Sequence, residues 1–143
     1  MEDRRVHRTY VKLSHRGALT ALDAAIERAE QLGVPQNVCI VDEGGNLLAF
    51  ARMDGARLLS GDTSRQKAVT AASHGTPTGN LDPELQLNFG LATGGRLTNL
   101  EGGLPIYLDG VLAGGIGVGS GKGTEDIDVG RAALAAIGAE EVP

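Results

Sequence analysis

Val38-Cys39-Ile40-Val41-Asp42-Glu43-Gly44-Gly45-Asn46-Leu47-Leu48-Ala49-Phe50-Ala51 is a pair of short apolar runs separated by residues that tolerate positive φ. Short apolar runs bounded by Gly and Asn are strand signals, and a glycine-rich link between two of them makes a β-hairpin. Arg52-Met53-Asp54-Gly55 closes the second run. A further hairpin lies downstream, where Pro105-Ile106-Tyr107-Leu108 and Val111-Leu112-Ala113 flank Asp109-Gly110. Asp-Gly is a dipeptide that two-residue hairpin loops favour. The return strand continues through Gly114-Gly115-Ile116-Gly117-Val118. Glycines inside a strand imply close backbone approach, bending or a bulge. Hairpins demand an antiparallel sheet, and helices must cover its faces.

The segments around the hairpins supply those helices. Ser14 stands where a side-chain hydroxyl can accept from the free N–H groups of a first helical turn. From there Ala18, Ala21, Leu22, Ala25, Ile26, Ala29 and Leu32 recur at helical spacing and form one apolar stripe. Gly33 followed by Pro35 stops this helix. Ala68, Val69, Ala71 and Ala72 signal a second helix from about Asp62 to Ser73, with a small-residue face suited to close packing on the sheet or on another subunit. A last helix is expected near Thr124, with Glu125 and Asp126 in its positive first turn and Val129, Ala132, Ala133, Ala136 and Ile137 as its stripe. Val6 to Leu13 alternates loosely and reads as an edge strand. The stretch His74 to Thr98, with Gly75, Pro77, Gly79, Pro83 and Gly90, reads as a long loop with one short helix at Pro83 to Leu87. A connection this long usually serves function or an interface. The pattern predicts an α/β chain of the α+β type, one domain over residues 1–143.

Composition narrows the function classes. A formal net charge of -5 leaves no basic footprint, so no nucleic-acid partner is expected. No apolar run approaches the roughly 20 residues of a membrane span, and Met1-Glu2-Asp3-Arg4-Arg5 leads into no secretory apolar region. The single cysteine, Cys39, forms no intrachain disulfide, which points to a cytoplasmic setting. Within an apolar strand it reads as inert core.

Several motifs carry a resemblance to a known family. They are Val41-Asp42-Glu43-Gly44-Gly45-Asn46-Leu47-Leu48, then Arg52-Met53-Asp54-Gly55-Ala56, then Lys67-Ala68 with Thr70-Ala71. Gly102-Gly103-Leu104-Pro105-Ile106, Gly114-Gly115-Ile116-Gly117-Val118 and Glu125-Asp126 continue them in order. Over Leu13 to Ile137 the chain resembles the GlcG/HbpS-like proteins, whose domain also forms the C-terminal part of PduO-type proteins. The resemblance implies a profilin-like fold, a central antiparallel sheet flanked by helices, assembled as a homo-oligomer. It also implies a small-molecule ligand, with haem one cofactor the family allows and none specified, or a role in cobalamin-linked or small-acid catabolism. Where the family pattern reads Gly-Val-Ser-Gly-Gly, this chain has Gly117-Val118-Gly119-Ser120-Gly121-Lys122-Gly123.

Candidate site residues cluster on the glycine-rich turns. Gly117 to Thr124 leads from a strand into a helix N-terminus, where free N–H groups can cradle an anion. It is neither a P-loop nor a dinucleotide fingerprint, because Gly123 follows Lys122 where Ser or Thr is needed and no Gly-x-Gly-x-x-Gly register fits. An anionic small molecule is therefore expected at Gly119, Gly121, Lys122 and Asp126, with Arg96 and Lys67 as charge partners. As a helix-start residue, Asp126 is expected to have a lowered pKa. His74, closing the second helix, is the candidate haem-iron ligand or general base; a capping role at the helix end explains it without chemistry. His7 and His15 stand at no metal-ligand spacing. Binding of haem or a small anion is thus one function class. A cofactor-independent isomerase or lyase acting on a small oxo- or hydroxy-acid, with His74 or Glu101 moving the proton, is the other.

Overall fold

The computed structural model of the chain describes residues 2–142. Its elements run α1 (His15–Leu32), β1 (Asn37–Asp42), β2 (Leu47–Arg52), α2 (Ser60–His74), α3 (Pro83–Ala92), β3 (Gly103–Leu108), β4 (Val111–Gly119) and α4 (Gly123–Ala136). The four strands form one sheet in the order β2-β1-β4-β3, with every neighbouring pair antiparallel. This is the α+β architecture expected from the hairpins.

Local chemistry sets the element ends. The Ser14 hydroxyl accepts from the Gly17 N–H at 3.0 Å, and Gly33 at φ +69° ends α1 in the left-handed region. In the first hairpin one Asp42 oxygen accepts from the N–H groups of Gly44 and Asn46, each at 2.9 Å. In the second, Asp109 and Gly110 both have positive φ, 52° and 74°, the geometry of a type I′ turn.

The sheet is covered on both faces. Val38, Ile40, Ile106, Ile116 and Val118 pack with the alanines of α1 and with Val129 and Ala133 of α4 in the main core. Cys39 and Val41 point the other way, onto Ala68 and Ala72 of α2. That second face is thin because glycine lines it. A Cβ at Gly117 would overlap the Ser64 carbonyl, one at Gly115 the Ala68 carbonyl, and one at Gly103 the Lys67 carbonyl. The α2 backbone therefore rests directly on β3 and β4, the close approach that glycines within a strand imply.

Residues Val6 to Leu13 depart from the expected edge strand. Every residue from 6 to 13 lies outside the sheet, Val6 is 99% exposed, and only Leu13 reaches the core. The alternation there is too sparse to bury a face, and without buried apolar area a strand has nothing to offset its ordering entropy. The short helix at Pro83 extends further than expected, through Ala92.

Candidate functional site

The close seating of α2 decides where Lys67 goes. Its side chain is 6% exposed, and Nζ donates to the Val118 carbonyl at 2.7 Å and to Asp126 Oδ2 at 3.0 Å. Asp126 Oδ1 accepts from the Gly121 N–H at 3.1 Å, so the carboxylate ties the β4–α4 turn to α2. Burial pushes the Asp126 carboxyl above the ordinary carboxylate range, although Lys67, the Gly121 N–H and the adjacent Gln36 amide pull the other way. The helix-start expectation of a lowered pKa is thereby corrected: desolvation outweighs the ion pair and the backbone. Gln36 itself is fully buried.

An open cleft of about 540 Å³ lies above this pair, lined by Arg57, Ser60, Thr63, Lys67, Glu101 and Asp126, among others. Glu101 reaches it from the β3 side and lies against Gly123, where a Cβ would collide with its carboxylate. Glu125 Oε1 accepts from the Lys122 N–H at 2.8 Å. The positive end of α4 is thus met by the chain's own Glu101, Glu125 and Asp126. Of the residues expected to gather here, Lys67, Glu101, Gly121 and Asp126 do. Gly119 is buried at the end of β4, where an added Cβ would press on the Ser60 carbonyl. Lys122 is exposed and does not line the cleft.

Arg96 lies elsewhere. It is exposed beside Gly45, in a cleft of about 510 Å³ with Val69, Thr70, Ala72, Ser73 and Leu97. Among the described residues it has no carboxylate within ion-pair distance. Its proximity to Glu101 in sequence is misleading, because the chain between them crosses from one side of α2 to the other. Arg57, which the sequence reading passed over, takes the corresponding place in the first cleft. Its signal was available only as position, just before a helix whose first residues are polar.

His74 ends α2 and is exposed. It lines a small pocket of about 60 Å³ with Thr70, Thr76, Thr78 and Thr98. Its Nδ1 lies 3.2 Å from the Thr70 carbonyl oxygen. A carbonyl only accepts, so Nδ1 carries the proton of that bond, and among the described residues Nε2 has no hydrogen-bond partner. Thr70 also lines the Arg96 cleft, which makes the two adjacent. His74 and Glu101 line different pockets, and among the described residues neither side chain has a nucleophile or second base within hydrogen-bond distance. Burial pushes the Cys39 thiol up to about 11, which keeps it protonated and inert, as its strand position implied. Among the described residues no helix is long and apolar enough to cross a membrane.

The chain is similar to several known proteins. Residues 13–135 match the family described as haem-degrading protein HbpS-like. The chain is 37% identical over 134 residues to the corrinoid adenosyltransferase PduO of Salmonella typhimurium strain LT2, covering 90% of this chain and 40% of that protein. It therefore spans about two fifths of the PduO length. Against protein GlcG of Escherichia coli K12 it is 35% identical over 114 residues, 78% of this chain and 84% of that one. Among solved structures, the PduOC chain determined as a haem complex superposes with a TM-score of 0.85 at 33% identity, covering 93% of this chain and all 100% of that one. HbpS superposes with a TM-score of 0.80 at 34% identity, covering 94% and 97%.

Proposed function

Because the chain belongs to the HbpS-like family, we propose that it is a ligand-binding protein, that its ligand is haem, and that it works as a homo-oligomer. The observation that carries the haem reading is the state of His74. An iron-ligating histidine characteristically donates its second ring N–H to a carbonyl or carboxylate, which fixes the tautomer and ring orientation. His74 already makes that contact, to Thr70, with Nε2 left over. The adjacent cleft adds what a flat, amphipathic dianion requires. Val69 and Leu97 offer apolar surface, and the Arg96 guanidinium, with no carboxylate in ion-pair distance among the described residues, is placed to meet a propionate. Bound haem would supply the iron; His74 would be the residue to ligate it, and Arg96 would hold a propionate. The similar PduOC chain was solved as a haem complex, which supports the same ligand class here.

Titration of the purified protein with haemin tests the reading. A sharp Soret band is expected on binding, and His74→Ala is expected to shift or broaden it, while His7→Ala and His15→Ala leave it unchanged. Arg96→Ala is expected to weaken binding without changing the band position. An identical spectrum in the His74 variant removes that residue from the role, and absence of saturable binding rejects haem as the ligand.

A further inference from the structure

We propose that the cleft at the N-terminal end of α2, opposite the His74 end, binds a small monocarboxylate held by Arg57 and Lys67. The inference is independent of the haem reading, since neither residue lines the Arg96 cleft or the His74 pocket. Lys67 supplies the first reason. Its ammonium carries three protons, and two are answered by Val118 and Asp126. Among the described residues no third acceptor lies within hydrogen-bond distance, and Lys67 lines the cleft with a side chain only 6% exposed. A buried donor left unanswered is costly, so an acceptor arriving from the cleft is favoured there.

Arg57 supplies the second. Its backbone is pinned on both sides: its N–H donates to Ser120 Oγ at 2.8 Å, and its carbonyl accepts from Asn37 Nδ2 at 2.8 Å. Ser120 is held at φ +93°, a conformation rare for a residue with a Cβ. The guanidinium is thus projected from a fixed point, with no carboxylate within ion-pair distance among the described residues. Ser60 and Thr63 add hydroxyls along the same wall.

The opposite wall sets the charge of the ligand. Glu101 and Asp126 both line it, so each further negative charge on a ligand meets carboxylates already in place. A single carboxylate satisfies Arg57 and the open Lys67 proton and adds only one charge. A doubly charged phosphate is repelled more strongly.

Heteronuclear NMR titration of the whole protein with lactate, and separately with inorganic phosphate, reads the site directly. Saturable shifts are expected at the amides of Ser60–Thr63 and Gly121–Gly123. Arg57→Ala, an exposed position whose loss leaves the core intact, is expected to weaken lactate binding by about tenfold or more, the scale of one charged hydrogen bond. Arg57→Lys should recover part of it. His74→Ala and Arg96→Ala should leave it unchanged, so failure here and failure of the haem reading are separable. Equal lactate affinity in Arg57→Ala, shifts confined to other surfaces, or phosphate binding as tightly as lactate would each overturn the proposal.

Discussion

Lys67 and Asp126 form a pair whose members cannot be removed singly without consequence. Each is almost wholly buried, at 6% and 3% side-chain exposure. Lys67→Met leaves a carboxylate that burial already disfavours without its cation, and breaking a buried pair in this way costs about 3–5 kcal/mol. Lys67→Met combined with Asp126→Leu removes both charges, and is expected to recover much of the loss. Chemical denaturation of the single and double variants measures this; a single variant within experimental error of the parent would show that the pair is solvated. Asp42 makes a second residue-scale case, one that depends on pH. Burial alone would raise its carboxyl, but hydrogen bonds from Asn46 and Gly44 outweigh it and hold the folded pKa below the ordinary value. A depressed native pKa means the unfolded chain binds the proton more readily, so stability is full above the usual carboxylate range and is lost as pH falls through the native value. Asp42→Asn keeps the acceptor oxygen and removes the titration. Its melting temperature should therefore decline less steeply than the parent's below about pH 4, near the unfolded carboxylate value.

Among the elements, α2 is the one whose position everything else depends on. Gly117 and Gly115 let its backbone touch β4, and that seating brings Lys67 within reach of Val118. Gly117→Ala puts a methyl group into the Ser64 carbonyl, so the helix must shift. Overpacking of this kind costs about 1–3 kcal/mol, and urea unfolding should show it, with a loss of the Gly121–Gly123 amide pattern if Lys67 moves with the helix. An unchanged midpoint would mean that α2 rides freely on the sheet. Elements with a local cause were legible from sequence. Asp109-Gly110 specifies its turn through two positive φ values, and Ser14 and Gly33 bound α1 by caps that need only near neighbours. The strand glycines announced close approach, though not which helix would approach. Val6 to Leu13 misled because alternation signals a strand only where a sheet edge and a buried face await it. The candidate site was half legible for a related reason. Glycines and acids at the β4–α4 turn mark it locally, but the Lys67–Asp126 contact joins positions 59 residues apart. Which arginine faces the cleft depends on how the chain passes α2, and no spacing encodes that.

Across the whole molecule the anomaly is α3. A helix in water buries one face, and a helix apolar all round is normally enclosed. In α3, Leu85, Leu87, Phe89 and Leu91 alternate along Pro83–Ala92 and so spread around the axis, and none of its residues is buried. Leu87 and Leu91 are 69% and 72% exposed. What holds the segment is polar: Asn99 accepts from the Leu81 N–H at 2.8 Å and donates to Gln86 Oε1 at 2.8 Å. Leu100 adds a further half-exposed apolar side chain on the same return loop, and Leu58 and Leu59 stand 71% and 72% exposed before α2. Apolar area left in water at about 25 cal/mol per Å² is a standing drive for association. The expected outcome is a homo-oligomer in which α3 is covered by another copy, in keeping with the loop's unusual length. Sedimentation at micromolar concentration should show a species well above the 14.7 kDa of one chain. Leu87→Glu with Leu91→Glu should dissociate it while leaving the far-ultraviolet circular dichroism intact, because neither side chain contributes to the core. A parent protein that sediments only as a single chain would leave α3 without a partner and reject the assembly.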